Sequence, residues 1–252
     1  MSDFDRNVAA RGGFADRAAA VDAGLRAYML RVYNYMAAAV ALTGVVAYAT
    51  FNAAVVTDAS GKITALTPFG QTIYGGPLSI VLLLGTLGLV FFISFRINRL
   101  QYTTALGLFM VYAGLLGLML SSIFLAYTGA SITRVFFISA ASFGALSLYG
   151  YTTQRDLSAM GSFLVMGLFG LILASLVNMI WPSGALSFAI SVIGVGVFAG
   201  LTAYDTQRIK EMYDSMDNDG TMGRKAIMGA LSLYLDFINL FLMLLRLVGD
   251  RR

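Results

Sequence analysis

An all-α integral membrane protein, built as a seven-transmembrane-helix bundle, is what this sequence predicts, and three observations carry the prediction. Of the 252 residues, 58% are hydrophobic and only 12% charged, against about 25% charged in a soluble globular domain. Apolar residues run in stretches of roughly 20, the length a helix needs to cross the hydrocarbon core. Lys and Arg collect in alternate short connections, where they determine topology.

The stretches lie at 32–54, 77–95, 103–125, 133–150, 159–180, 185–207 and 227–248. Residues 1–26 form a polar leader, expected to be cytoplasmic, partly disordered and helical from about Ala18. Residues 27–252 form the membrane domain. The leader mixes Arg6, Arg11 and Arg17 with Asp3, Asp5, Asp16 and Asp22. It has no apolar core ending in small residues, so a cleaved signal peptide is not expected. Two connections are long: a polar loop at 55–76 with Asp58, Lys62 and Pro68, and a charged loop at 208–226 reading RIKEMYDSMDNDGTMGRKA.

Charge sets the orientation. A cytoplasmic N-terminus places Arg26, Arg31, Arg96, Arg99, Arg155, Arg208, Lys210, Arg224 and Lys225 inside with the leader. It leaves Lys62, Arg134, Arg246, Arg251 and Arg252 outside. Seven crossings then put the C-terminus outside. The terminal arginines fit that poorly, so a seventh segment that does not cross fully is the alternative.

Composition also excludes chemistry. With no His and no Cys, disulfides, thiolate zinc sites and Ser-His-Asp catalysis are absent from this chain. The net charge of +4 is spread over short loops, so no nucleic-acid partner is expected and the bilayer is the medium. Glycines inside spans, such as Gly114, Gly117, Gly167, Gly170 and the Gly196-xxx-Gly200 pair, are expected to serve close packing within one chain. A monomer is therefore expected. Tyr102, Tyr127, Tyr149, Tyr151 and Trp181 fall near span ends, where aromatic belts form.

Most acids lie outside the spans, but Asp205 closes the sixth and Asp236 lies inside the seventh. A charged carboxylate at a helix centre costs about 2.5–3.5 kcal/mol on insertion scales, so it faces the bundle interior, finds a partner or takes up a proton. Ser232, Asp236, Asn239 and Met243 share one face of the seventh helix, and Thr202, Asp205 and Thr206 form a short polar patch on the sixth. At 1.5 Å per residue, Asp236 lies about 13 Å into a helix starting at 227, so tilt could bring the two carboxyls to one depth. They would then hold one proton between them and titrate as a unit. The other reading is structural: each Asp bonds locally or pairs with a cation such as Arg96 or Arg99.

At these residues the chain resembles the Bax inhibitor-1 family, also called the transmembrane Bax-inhibitor-motif family, in its bacterial branch. AGLTAYDTQRIK (199–210) resembles the sixth-helix signature, and ALSLYLDFINLFLMLLRLVG (230–249) the C-terminal one. The resemblance covers about 26–249. It implies a pH-sensitive calcium leak channel of the bacterial inner membrane, with Asp205 and Asp236 as pH sensor, gate and contact for calcium. It also implies an arginine latch at the cytoplasmic end of the second helix, best matched by Arg96 in SFRINRL, with Arg99 the fallback. Thr202, Ser232 and Asn239 would support the pair as a polar seam. No cofactor and no enzyme activity are implied; calcium and protons are the permeant or sensed ions.

Other classes stay open. A regulatory protein could use the leader and the 208–226 loop to bind a membrane protease or another membrane protein. An intramembrane aspartyl protease could use two such acids, but LYLD stands where those enzymes resemble a GxGD pattern. A retinal pump fails, since the seventh span holds no lysine for a Schiff base. Asp214, Asp217 and Asp219 lack the bidentate Glu of an EF-hand, and their loop is expected to be solvated.

Overall fold

The computed structural model describes residues 3–58 and 62–252, with side-chain surroundings from Val21 onward. Helix α1 (Asp3–Ala54) leads into a hairpin of β1 (Val55–Thr57) and β2 (Ile63–Leu66) and a short α2 (Pro68–Tyr74). Then follow α3 (Pro77–Arg96), a 3-10 turn at Ile97–Arg99, α4 (Tyr102–Leu120), α5 (Ile123–Ala126) and α6 (Gly129–Thr152). The chain ends with α7 (Ser158–Ile180), α8 (Gly184–Glu211) and α9 (Asp219–Val248).

Seven segments are long and apolar enough to cross a membrane: Val21–Ala54, Pro77–Arg99, Tyr102–Ala126, Gly129–Thr152, Ser158–Ile180, Gly184–Glu211 and Asp219–Val248. They alternate in direction between an entry face, where α1 enters the bundle, and an exit face, where it leaves. All seven expected spans are present. The first and last begin earlier than expected.

Helix α1 is continuous from Asp3, not from Ala18. The side-chain surroundings of residues 3–20 lie outside the described residues. Alanine-rich sequence favours this extension. Helix α9 starts at Asp219 because the Asn218 side chain accepts the Thr221 backbone N–H at 2.8 Å, an N-cap that apolar periodicity does not reveal. The charged loop is correspondingly shorter and tightly bonded. Lys225 Nζ donates to Asp217 Oδ2 at 2.5 Å and to Met212 O at 2.9 Å, and Asp214 Oδ1 accepts from Met216 N–H. The 55–76 loop is likewise structured. Val55 pairs with Leu66 across the hairpin, and Thr67 Oγ1 caps α2 by accepting from Gly70 N–H.

Helix α9 is the axis of the molecule. It packs against α8, α1, α6 and α4, and 61% of its crossing window is buried, against 11% for α3 and for α7. At its centre, Thr43 Oγ1 lies 2.9 Å from both Ala39 O and Ala113 O. Its own proton serves one of these carbonyls, so Tyr234 donates its hydroxyl to Thr43 at 2.7 Å. The Tyr234 ring meets Phe109 and Tyr112 edge-on, with centroids 5.6 and 6.0 Å away.

The C-terminus completes its crossing. Arg252 donates its backbone N–H to Ala126 O and Nε–H to Tyr127 O, and Asp250 N–H donates to Ser131 Oγ. Arg134 pairs with Asp250 at 2.7 Å. The terminal arginines that fit poorly with an outside C-terminus are therefore held at the exit face by the α5–α6 connection. Tyr127 is buried beneath them and is no belt residue, whereas Trp181 and Tyr149 stay exposed at span ends.

At the entry face, Gln207 of α8 clamps the α6–α7 connection. Its Oε1 accepts from Leu157 N–H and its Nε2 donates to Arg155 O, both at 2.8 Å. Close packing there uses Gly150, where a Cβ would run into the Ala203 carbonyl of α8. Gly150→Val is expected to lower stability by about 1–3 kcal/mol, seen as an earlier thermal transition in detergent; an unchanged transition would refute this contact.

Asp156 starts α7. Hydrogen bonds from the Ser158 side chain and backbone N–H hold its carboxyl below the ordinary 3.8. A carboxyl depressed on folding stabilises above its unfolded value and loses that effect as pH falls through the folded one. The melting difference between wild type and Asp156→Ala should therefore be constant near neutral pH and close on acidification below about pH 4. A gap that persists in acid would contradict this.

Candidate functional site: an aspartate pair in a lateral groove

Helices α8 and α9 run antiparallel, in a register set by two small-residue contacts. Gly229 faces Ile209 and Gly194 faces Met243. In that register Asp236 lies about one turn closer to the exit face than Asp205. Side chains on a helix tilt toward its N-terminus. Asp205 therefore leans toward the exit face and Asp236 toward the entry face, and the two converge.

The two carboxyls lie within hydrogen-bonding reach of each other. Neither ionised group has a hydrogen to give, so a bond between them would need one proton. Asp236 is 6% exposed, and its Oδ2 has no hydrogen-bond partner among the described residues. Asp205 is half-buried. The sequence alone left their meeting to helix tilt; the register and opposed side-chain lean bring it about.

The pair lines a groove of about 700 Å³ between α7, α8 and α9. Ser232, Asp236, Asn239 and Met243 all face it, so the stripe expected on the seventh span is one wall of a real cavity. Asn239 Nδ2 donates to Leu235 O at 2.8 Å, which leaves its carbonyl oxygen for the groove. Apolar residues such as Leu171, Leu176 and Met179 form the opposite wall on α7.

Thr202 departs from the expected seam. It is fully buried, donates its hydroxyl to Phe198 O at 2.8 Å, and does not line the groove. Thr206 belongs to a separate hydroxyl chain, through Ser147 at 2.9 Å to Tyr33 at 2.6 Å.

Arg96 and Arg99 are exposed, and neither forms an ion pair among the described residues. Helix α3 packs on α2 and α4, and the 3-10 turn that follows Arg96 touches α9. Arg208 instead lies in the groove, one turn from Asp205, and its charge acts on that carboxyl. It had been counted only as a topology charge. The signal was its i+3 spacing in YDTQR, which puts both side chains on one helix face.

The groove's oxygen groups are two carboxyls, the serines Ser175 and Ser232, Tyr204 and Asn239. Calcium takes 6–8 oxygen ligands when held tightly, and no cluster of three acids occurs among the described residues.

Comparison with known proteins places the chain. The family model described as "Inhibitor of apoptosis-promoting Bax1" matches residues 25–252. Protein RP147 of Rickettsia prowazekii is 52% identical over 231 residues, 92% of each chain. Inner membrane protein YbhL of Escherichia coli K12 is 47% identical over 232 residues, 91% of this chain and 94% of its own. A Caulobacter vibrioides protein is 44% identical over 259 residues, the full length of both. With seven membrane-crossing helices and both signature segments meeting at one groove, the chain belongs to the Bax inhibitor-1 family of membrane proteins.

Proposed function

We propose that this chain is a pH-sensitive, calcium-permeable leak channel of the bacterial inner membrane, with its N-terminus cytoplasmic and Asp205 and Asp236 as sensor and gate. The observation that carries this reading is the juxtaposition of the two carboxyls on the wall of a groove between α7, α8 and α9. The entry face is then cytoplasmic, and it bears Arg26, Arg31, Arg155, Arg208, Lys210, Arg224 and Lys225, in keeping with the positive-inside rule. One chain contains the whole groove, so a monomer suffices.

With the proton in place, the carboxyl–carboxyl bond ties α8 to α9. When the proton leaves, two negative charges face each other in a poorly hydrated space and repel. The pair then separates unless a cation or Arg208 offsets the charge. Protonation thus biases two arrangements of the last helix pair. In this reading Arg208, already beside Asp205, supplies the positive charge at the entry mouth. Arg96, exposed at the end of α3, is the alternative latch.

Purified protein in calcium-loaded vesicles tests this. Wild type should leak calcium at a rate that changes with pH across the neutral range, and Asp205→Asn and Asp236→Asn should each remove that dependence. No flux from folded protein, or pH dependence retained in both variants, would sink the proposal. Arg208→Gln should change the flux–pH curve while Arg96→Gln leaves it as in wild type; the reverse result would restore Arg96 as the latch.

A further inference from the structure

A second opening lies elsewhere around α9. Helices α1 and α6 both pack on α9 and are tied to each other by the Tyr33–Ser147 hydroxyl bond at 2.6 Å, with little other close backbone approach between them. The slot between them has a volume of about 760 Å³ and is floored by Phe237. It continues toward the exit face into a further space of about 300 Å³, the two sharing Val40, Phe136 and Phe237. Its walls carry small residues, including Ala37, Ala41, Ala140 and Gly144.

At the entry end this apolar slot meets Arg26 and Tyr151. Arg26 is exposed, and no carboxylate lies within ion-pair distance of it among the described residues. A second cation stands behind Tyr151: Lys210 Nζ donates to Tyr151 O at 2.9 Å and lies 5.3 Å from the centre of its ring. From Arg26 to Ala41 the slot follows α1 for about 22 Å at 1.5 Å per residue. Half the hydrocarbon core is about 15 Å, so the slot runs from the headgroup layer past the midplane.

We propose that the α1–α6 slot is a phospholipid site, taking one acyl chain along its length and holding an anionic headgroup at Arg26. An apolar crevice that opens sideways in a bilayer faces lipid tails, and what distinguishes this one is an unpaired guanidinium where a headgroup phosphate would lie. Arginine suits that contact because its planar fork matches phosphate oxygens. The site stands apart from the aspartate groove and does not depend on channel activity.

Gly144 allows a direct test, because a Cβ there meets nothing within 4 Å. A large side chain at that position extends into the slot from an uncrowded Cβ. The protein would be reconstituted in equimolar phosphatidylglycerol and phosphatidylcholine, extracted gently and weighed by native mass spectrometry. Wild type should retain one phosphatidylglycerol, with about a fivefold preference over phosphatidylcholine, the effect of one basic residue on an anionic lipid. Gly144→Trp should lose the bound lipid. Arg26→Gln should keep a lipid but lose the preference.

A phosphatidylglycerol with a photoreactive acyl chain adds a readout independent of the tryptophan variant's folding. Its label should concentrate on the slot walls of α1 and α6. No retained lipid in wild type, a preference unchanged in Arg26→Gln, or label spread evenly over α3 and α7 would overturn the proposal. So would a transmembrane helix of another protein crosslinked into the slot in place of lipid.

Discussion

A carboxylate on the most buried helix of a lipid-embedded bundle is the constraint on which the rest depends. Asp236 cannot reach water along α9, and a lone charge there costs about 2.5–3.5 kcal/mol or more. The structure sets a second acid on the neighbouring helix within reach of the first. That arrangement is local to α8 and α9 and follows from their register. The small residues Gly194 and Gly229 let the two backbones close to the distance at which the carboxyls meet.

The arrangement of the remaining helices follows from lipid as the solvent. No hydrophobic drive pushes apolar helices together in a bilayer, so the most apolar ones, α3 and α7, stay at the rim and α9 with its hydroxyls and acid takes the centre. Many buried hydroxyls within the spans are satisfied on their own helix. Ser139, Ser191, Thr202 and Thr206 each donate to a carbonyl four residues earlier, as buried hydroxyls must where water is absent. Against that background an acid pair facing a groove stands out as chemistry the fold does not require for its own hydrogen bonding.

The two open spaces beside α9 differ in character. One places carboxyls, an amide and a guanidinium along a wall beside α7; the other is mostly apolar, with the Tyr33–Ser147 hydroxyls within it and a cation at its mouth. Both exist because α9 is ringed incompletely: α7 leans on α8, and α1 and α6 flank α9 and meet each other mainly through that hydroxyl bond. A single central helix thus faces a polar groove on one side and a lipid-sized slot on another.

Length, apolarity and loop charge determined the seven crossings and the positions of both acids, because these depend on spacing along the chain and on the cost of burying charge. The helical stripe from Ser232 to Met243 was legible for the same reason: one helix fixes its own faces. Helix ends were less so. Asn218 and Thr67 act through single side-chain caps, which a search for apolar runs does not weigh, and so α9 and α2 begin where a loop was expected. What only the tertiary structure decided is which helices stand side by side. The register of α8 on α9 brings Asp205 to Asp236, and one helical turn brings Arg208 near. Thr202 turns out to be sealed in the core, because facing depends on neighbours from distant sequence that no local spacing encodes.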